Sequence, residues 1–249
     1  CIRDRSNTSK KDESTFRLKL DWDVGDKTLV KFLITQVDLD DPADIWTIDG
    51  SLNTLSDRPG MDSQKTNAYG IKFFHQFDGF EFQSFTSVTN TDVVLSYDAD
   101  WGNSDSHMPY IYDYFSETLR NRDTFGQELR FVSDSADFSS QNMTEWVVGL
   151  SFLDIKEENL KKDDGIYGDP SDPYSPYVSQ SSSSSNFSSD NISIYANIDY
   201  LLNTSTKISF GARWEDYESK YSDSFDENFN PSDKMLSLIH ISEPTRPYW

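Results

Sequence analysis

The segment AYGIKFFHQFDGFEFQSFTSV, Ala68 to Val88, alternates apolar and polar residues on both sides of a single Asp78-Gly79 pair. Asp-Gly tolerates positive φ at both centres of a type I′ turn, so the spacing predicts a two-residue β-hairpin in which Phe77 faces Phe80. One face then carries Tyr69, Ile71, Phe73, Phe77, Phe80 and Phe82. The other carries Gly70, Lys72, Gln76, Glu81, Gln83 and Ser87, with Phe74 and Phe85 as apolar exceptions. One side is greasy and the other wet, and whatever touches the greasy side decides the fold.

The same rhythm recurs outward from this hairpin. Phe16, Leu18, Leu20 and Trp22 alternate with Arg17, Lys19 and Asp21 ahead of a turn at Val24-Gly25-Asp26-Lys27 and a segment Thr28 to Asp38. A third pair runs Thr124 to Ser133 and Thr144 to Ile155; a fourth sets Ile192 to Tyr200 against Ile208 to Trp214 around Asn203-Thr204-Ser205-Thr206. Between the pairs lie Leu39 to Thr66, Thr91 to Asp123 and Lys156 to Asp190, rich in Asp, Ser, Pro, Gly and Tyr, which read as long loops. Regular exchange of short turn and long loop is foreign to a β-sandwich and natural to a transmembrane barrel, where strands of ~9 to 11 residues cross the hydrocarbon. The expected fold is all-β: an antiparallel, up-and-down transmembrane β-barrel fragment of about eight strands, paired in sequence order as an open curved sheet. Trp22, Tyr69, Trp146, Tyr200 and Trp214 are expected near strand ends as interfacial belts. In the competing sandwich, Phe73 and Trp146 would be sealed between two sheets.

Composition narrows the partners. The chain has 249 residues, a net charge of -21 and a 14% aromatic share. Disordered acidic chains are poor in aromatics, so an ordered structure uses these rings. Acidity of this degree repels phosphate and excludes nucleic-acid binding. No apolar run reaches the ~18 residues of a membrane helix, and no signal segment opens the chain. Cys1, the single cysteine, forbids an internal disulfide and reads as a cut point rather than a lipidated residue. LSLIHISEPTR, Leu236 to Arg246, resembles a translated sequencing-library adapter, so 236–249 is expected to be non-native. Pro244 and Pro247 would in any case deny a closing strand its amide donors. The remaining divisions are a disordered start or loop remnant (1–13), a partial barrel (14–224) and a loop (225–235).

TFGQELRFVSD (Thr124 to Asp134), EWVVGLSFL (Glu145 to Leu153), YANIDYLL and KISFGARWEDYESK occur in the order in which TonB-dependent outer-membrane receptors carry similar strands. The chain resembles that family over Ser14 to Ser224. The resemblance implies an internal portion of a barrel of roughly 22 strands around an N-terminal plug, in the bacterial outer membrane among lipid and lipopolysaccharide. It also implies energy from the TonB complex through a plug absent from this sequence, and a small-molecule chelate, most commonly a ferric siderophore, as cargo. No cofactor is implied. The alternatives are a passive porin-like channel and a secreted glycan-binding β-sandwich.

Several constellations bear on a site. Arg17, Lys19, Lys72, Glu128, Arg130, Arg213 and Glu215 fall on the polar register and are expected to line the lumen, as a hydrated wall that seats a plug or as an anion pathway. Asp98, Asp100, Asn103 and Asp105 offer oxygen ligands for calcium but lack the glycine and glutamate of an EF-hand loop. The loop aromatics Trp46, Tyr97, Trp101, Tyr110, Tyr112, Tyr114, Tyr167, Tyr174 and Tyr177 supply flat, partly wet surfaces for substrate. The Ser179 to Ser189 run reads as a flexible loop tip. His75 and His107 have no neighbouring nucleophile in a catalytic setting, and no enzyme is expected.

Overall fold

The computed structural model of the chain describes residues 11–43, 46–51, 53–135, 144–203 and 205–227. The adapter-like residues 236–249 lie outside the described residues. Eight strands follow one another: β1 (Glu13–Asp23), β2 (Thr28–Pro42), β3 (Met61–Phe77), β4 (Phe80–Asp98), β5 (Ile111–Ser133), β6 (Thr144–Gly168), β7 (Tyr177–Asn203) and β8 (Thr206–Glu227). They form one antiparallel sheet in chain order, β1 to β8, and among the described residues no helix occurs.

The sandwich is overturned. No second sheet exists among the described residues, and no hydrophobic side chain there is buried. Successive residues point to opposite faces, so cross-strand register fixes which side chains share a side. Trp22, Val30, Phe73, Ser84, Leu129, Leu150, Ile194 and Trp214 stand in one transverse row of the apolar face. That face is uncovered even in mid-sheet, where Ile71 is 45% and Ile194 52% exposed. The polar face is concave, enclosing a bay of about 960 Å³ whose lining includes Lys19, Lys31, Lys72, Phe85, Glu128 and Arg130.

The apolar belt runs obliquely to the strand pairing. On β1 it extends from Phe16 to Trp22 and on β8 from Ile208 to Trp214, yet Trp22 and Trp214 occupy the same transverse row. The belt therefore slips by about six residues over seven inter-strand steps. At ~3.3 Å per residue and ~4.8 Å between strands this is a strand tilt of roughly 30°, the stagger a sheet needs to close into a barrel.

Three expectations need correction. First, the Phe77–Phe80 pairing forms, but the turn is not type I′. Gly79 has φ of 92°, whereas among the described non-glycine residues only Trp101 has positive φ. Asp78 stays in the ordinary backbone region and its carboxylate accepts from Lys27 of the neighbouring turn at 3.1 Å. Second, much of the expected loop sequence is strand: β4 continues to Asp98, β5 begins at Ile111, β6 runs to Gly168 and β7 begins at Tyr177. The serine run is therefore not a loop tip. It pairs with β6 on one side and, from Ser181, with β8 on the other, so its backbone groups are satisfied without help from apolar side chains. Third, Tyr69 and Trp214 lie inside long strands rather than near their ends. They mark the loop-side rim of the apolar belt, where polar neighbours such as Asn67 and Asp216 take over the same face.

Candidate functional site

The concave wall is built by register. Arg130, Gly149, Tyr195 and Arg213 form one row on β5 to β8, and Glu128, Ser151, Ser193 and Glu215 form the next. Arg130 Nη2 donates to Glu128 Oε2 at 2.7 Å, and Tyr195 Oη donates to Glu128 Oε1 at 2.6 Å. Tyr195 reaches two strands away because Gly149 has no side chain: a Cβ there would lie 2.2 Å from Tyr195 Cζ. Arg213 sits 5.8 Å from the Tyr195 ring centre and donates from Nε to Glu215 at 3.0 Å, while Asn191 donates to the other Glu215 oxygen at 2.5 Å.

The two apolar exceptions of the opening hairpin find their places on this wall. Phe74 and Phe85 meet edge to face at 5.6 Å. Phe85 is flanked by Lys72 Nζ at 5.4 Å and the Arg130 guanidinium at 5.0 Å, so its ring serves as a cation–π platform. Arg17 and Lys19 stand on the same side of the edge strand β1. All seven wall residues named from the sequence thus share the concave face. Tyr195, Gly149 and Phe85, which organise them, were not among the named seven. An aromatic on the polar register of β7, opposite a glycine, is the signal that marks Tyr195.

Towards the long-loop end the wall becomes aromatic. Tyr112 and Tyr114 of β5 lie 4.8 Å apart, and Tyr112 meets Tyr167 of β6 edge to face at 6.4 Å. His107 packs on Tyr112 at 5.0 Å, and His107, Tyr110, Tyr112 and Tyr167 line a cleft of about 250 Å³. Tyr114 lies over Gly165, whose Cβ would fall 2.2 Å from Tyr114 Cδ1. Burial pushes the Tyr114 hydroxyl above its ordinary value of 10.0.

Of the nine aromatics named from the sequence, Tyr97, Tyr112, Tyr114, Tyr167 and Tyr177 sit on strands, not loops, and their register puts them on the concave side. Tyr177 donates to Asp172 at 2.6 Å, which holds that carboxyl below its usual range. Tyr174 projects at a loop tip, 82% exposed. Trp46 and Trp101 stack on each other at 5.9 Å.

Most oxygens of the acidic loop accept from backbone amides, although Asp98 Oδ2 is buried without a hydrogen-bond partner among the described residues. Asp100 accepts from the amides of Gly102 at 2.8 Å and Tyr114 at 2.7 Å, Asp98 accepts from the Asp100 amide at 3.3 Å, and Asn103 accepts from the amides of Asp105 and Ser106. Burial nevertheless pushes the Asp100 carboxyl up from its ordinary 3.8. Among the described residues no group of three or more His, Cys, Asp or Glu side chains converges to hold a metal ion. Beside this loop, Arg58 bridges Asp113 at 3.2 Å and Asp164 at 2.9 Å and lies 4.5 Å over Phe115, tying the β2–β3 connection to β5 and β6.

No family model matches this sequence, and no curated protein does. Among solved structures the chain is similar to the ferric yersiniabactin uptake receptor FyuA from Yersinia pestis, with a TM-score of 0.54 and 14% identity. The match covers 86% of this chain and 34% of that one, so the chain spans about a third of the receptor's length. At that identity the likeness is one of fold.

Proposed function

We propose that residues 14–224 are a sector of the barrel of a bacterial outer-membrane receptor that imports a scarce nutrient, a ferric siderophore chelate. On this reading the energy comes from the TonB complex acting on a plug domain, and 236–249 is adapter sequence. One observation carries the reading: an apolar belt with no covering layer backs a hydrated, charge-laced concave wall, in a sheet that follows the fold of a ferric-chelate uptake receptor. In lipid every backbone amide needs a partner, which a closed barrel provides and an ordinary exposed sheet does not. The short-turn end faces the periplasm, and the long-loop end, where the belt gives way to residues such as Asn67 and Asp216 and the concave wall becomes tyrosine-rich, stands among lipopolysaccharide.

Each region then has a task. The tyrosines at the loop end, with Trp46 and Trp101, present rings to arriving cargo, and the Arg–Glu–Tyr ladder keeps the wall rigid beside the passage. The test is uptake of radioactive iron as siderophore chelates by cells with the complete gene intact or disrupted, with and without a protonophore. Uptake lost on disruption and abolished by the protonophore is expected. Uptake that persists with the protonophore and rises in proportion to concentration would instead favour a passive porin.

A further inference from the structure

The bay on the concave face has an imbalance that the rest of the chain makes unexpected. The sequence holds 43 acidic against 22 basic residues, so carboxylates are abundant. Yet Lys31 of β2 and Lys72 of β3 stand directly opposite each other across the sheet. Opposed like charges weaken a strand pair, and a neighbouring carboxylate usually relieves them. Lys31 has Asp21 at 3.1 Å, which is itself 58% exposed on the edge strand. Lys72 and Lys19 pair with no described carboxylate; Lys72 has only the Phe85 ring at 5.4 Å. Glu128, across the bay, is engaged by Arg130 and Tyr195.

Resting on the uptake reading, we propose that this bay is a transit site for a soluble polycarboxylate anion, so that the imported chelate belongs to the carboxylate class. The volume of about 960 Å³ admits a molecule of that size. Its carboxylates supply the counter-ions that Lys19 and Lys72 lack and join Asp21 at Lys31, and the Phe85 face packs against its carbon skeleton. The low dielectric of a barrel wall backed by lipid strengthens those pairs beyond their worth on an open surface.

The test titrates citrate into the complete receptor in detergent by calorimetry at low and at 0.5 M salt. Saturable binding that weakens with salt is expected, about tenfold weaker in each of Lys31→Gln and Lys72→Gln, and restored by Lys72→Arg. Lys65→Gln, on the outer face of β3, leaves binding unchanged. Circular dichroism confirms that each variant is folded. A folded receptor that ignores citrate overturns the proposal. So does a citrate-blind receptor whose melting temperature falls in Lys72→Gln, because that result places an acidic segment of the receptor itself on these lysines. A receptor that imports iron but ignores citrate removes the bay and keeps the uptake reading. One that binds citrate through these lysines but moves no iron keeps the bay and removes the uptake reading.

Discussion

Replacing Gly149 with alanine tests whether the concave wall is held by Tyr195 lying across β6. The new Cβ would stand 2.2 Å from Tyr195 Cζ and 2.4 Å from Oη, so the ring must lift and its hydrogen bond to Glu128 must break. A bond to a carboxylate contributes ~1.5 to 3 kcal/mol when sheltered; with the Glu128 side chain 26% exposed, the lower end, about 1.5 kcal/mol, is appropriate. Lost contact of the ring with the strand adds roughly 0.5 kcal/mol. Alanine in a strand regains ~0.5 to 1 kcal/mol over glycine. The net expectation for Gly149→Ala is a loss of about 1 to 1.5 kcal/mol, near that of Tyr195→Phe. The decisive feature is a change of sign: in a Tyr195→Ala background, Gly149→Ala meets no ring and stabilises by ~0.5 to 1 kcal/mol. Urea unfolding of the complete barrel in detergent, followed by tryptophan fluorescence, measures all four corners of the cycle. Equal destabilisation in both backgrounds, or none in the parent, would refute the role given to this ring.

Further outcomes follow from other parts of the sheet. Leu150→Lys, on the apolar face of β6, is expected to cost ~2 to 4 kcal/mol in phospholipid vesicles, whereas Ser151→Lys, one residue on and facing the bay, costs under about 1 kcal/mol; equal costs would dissolve the distinction between faces. Arg58→Ala removes two half-exposed ion pairs and a ring contact, and is expected to cost about 1 kcal/mol and open 53–60 to limited proteolysis; an unchanged cleavage pattern would show that the bridge is idle. At Asp100, burial raises the folded carboxyl above its ordinary 3.8, so the folded loop binds a proton more tightly than the unfolded one. Its contribution to stability is therefore greatest below pH 3.8 and is lost as pH climbs through the higher folded value. The protection factors of the Gly102 and Tyr114 amides, corrected for the intrinsic rise of exchange with pH, are expected to fall over that interval and then level off, and a rise would contradict the sign.

How far the sequence carried the fold depended on contrast between the two faces. In Phe16 to Trp22, Ala68 to Val88 and Ile192 to Tyr200 one face is apolar and the other polar, so a period of two is visible and the strands are legible. In Arg120 to Asp123, Lys156 to Asp164 and Ser179 to Ser189 both faces are wet, the period disappears, and composition alone suggests loop. These segments are strands because neighbours already in register extend the backbone ladder, a tertiary cause that a single segment cannot display. The site divided in the same way. Parity alone assigned Glu128, Arg130, Arg213 and Glu215 to one face, whereas Tyr195 over Gly149 and Phe85 between Lys72 and Arg130 required the register of several strands. The Asp78-Gly79 turn shows the limit of dipeptide rules: it closed the hairpin as read, but with Gly79 alone in the left-handed region.

The most direct measurement is the solvent seen by consecutive side chains of β7. Spin labels on single cysteines at 191–198 in the barrel proposed above, reconstituted in vesicles, report collisions with lipid-soluble oxygen and with a water-soluble nickel complex. Labels at Ile192, Ile194, Ala196 and Ile198 are expected to meet oxygen and not nickel, and those at Asn191, Ser193, Tyr195 and Asn197 the reverse, changing at every residue. If the isoleucine positions meet neither reagent, they are packed inside protein. If they meet nickel, they face water, and in either case the sheet does not cross a membrane.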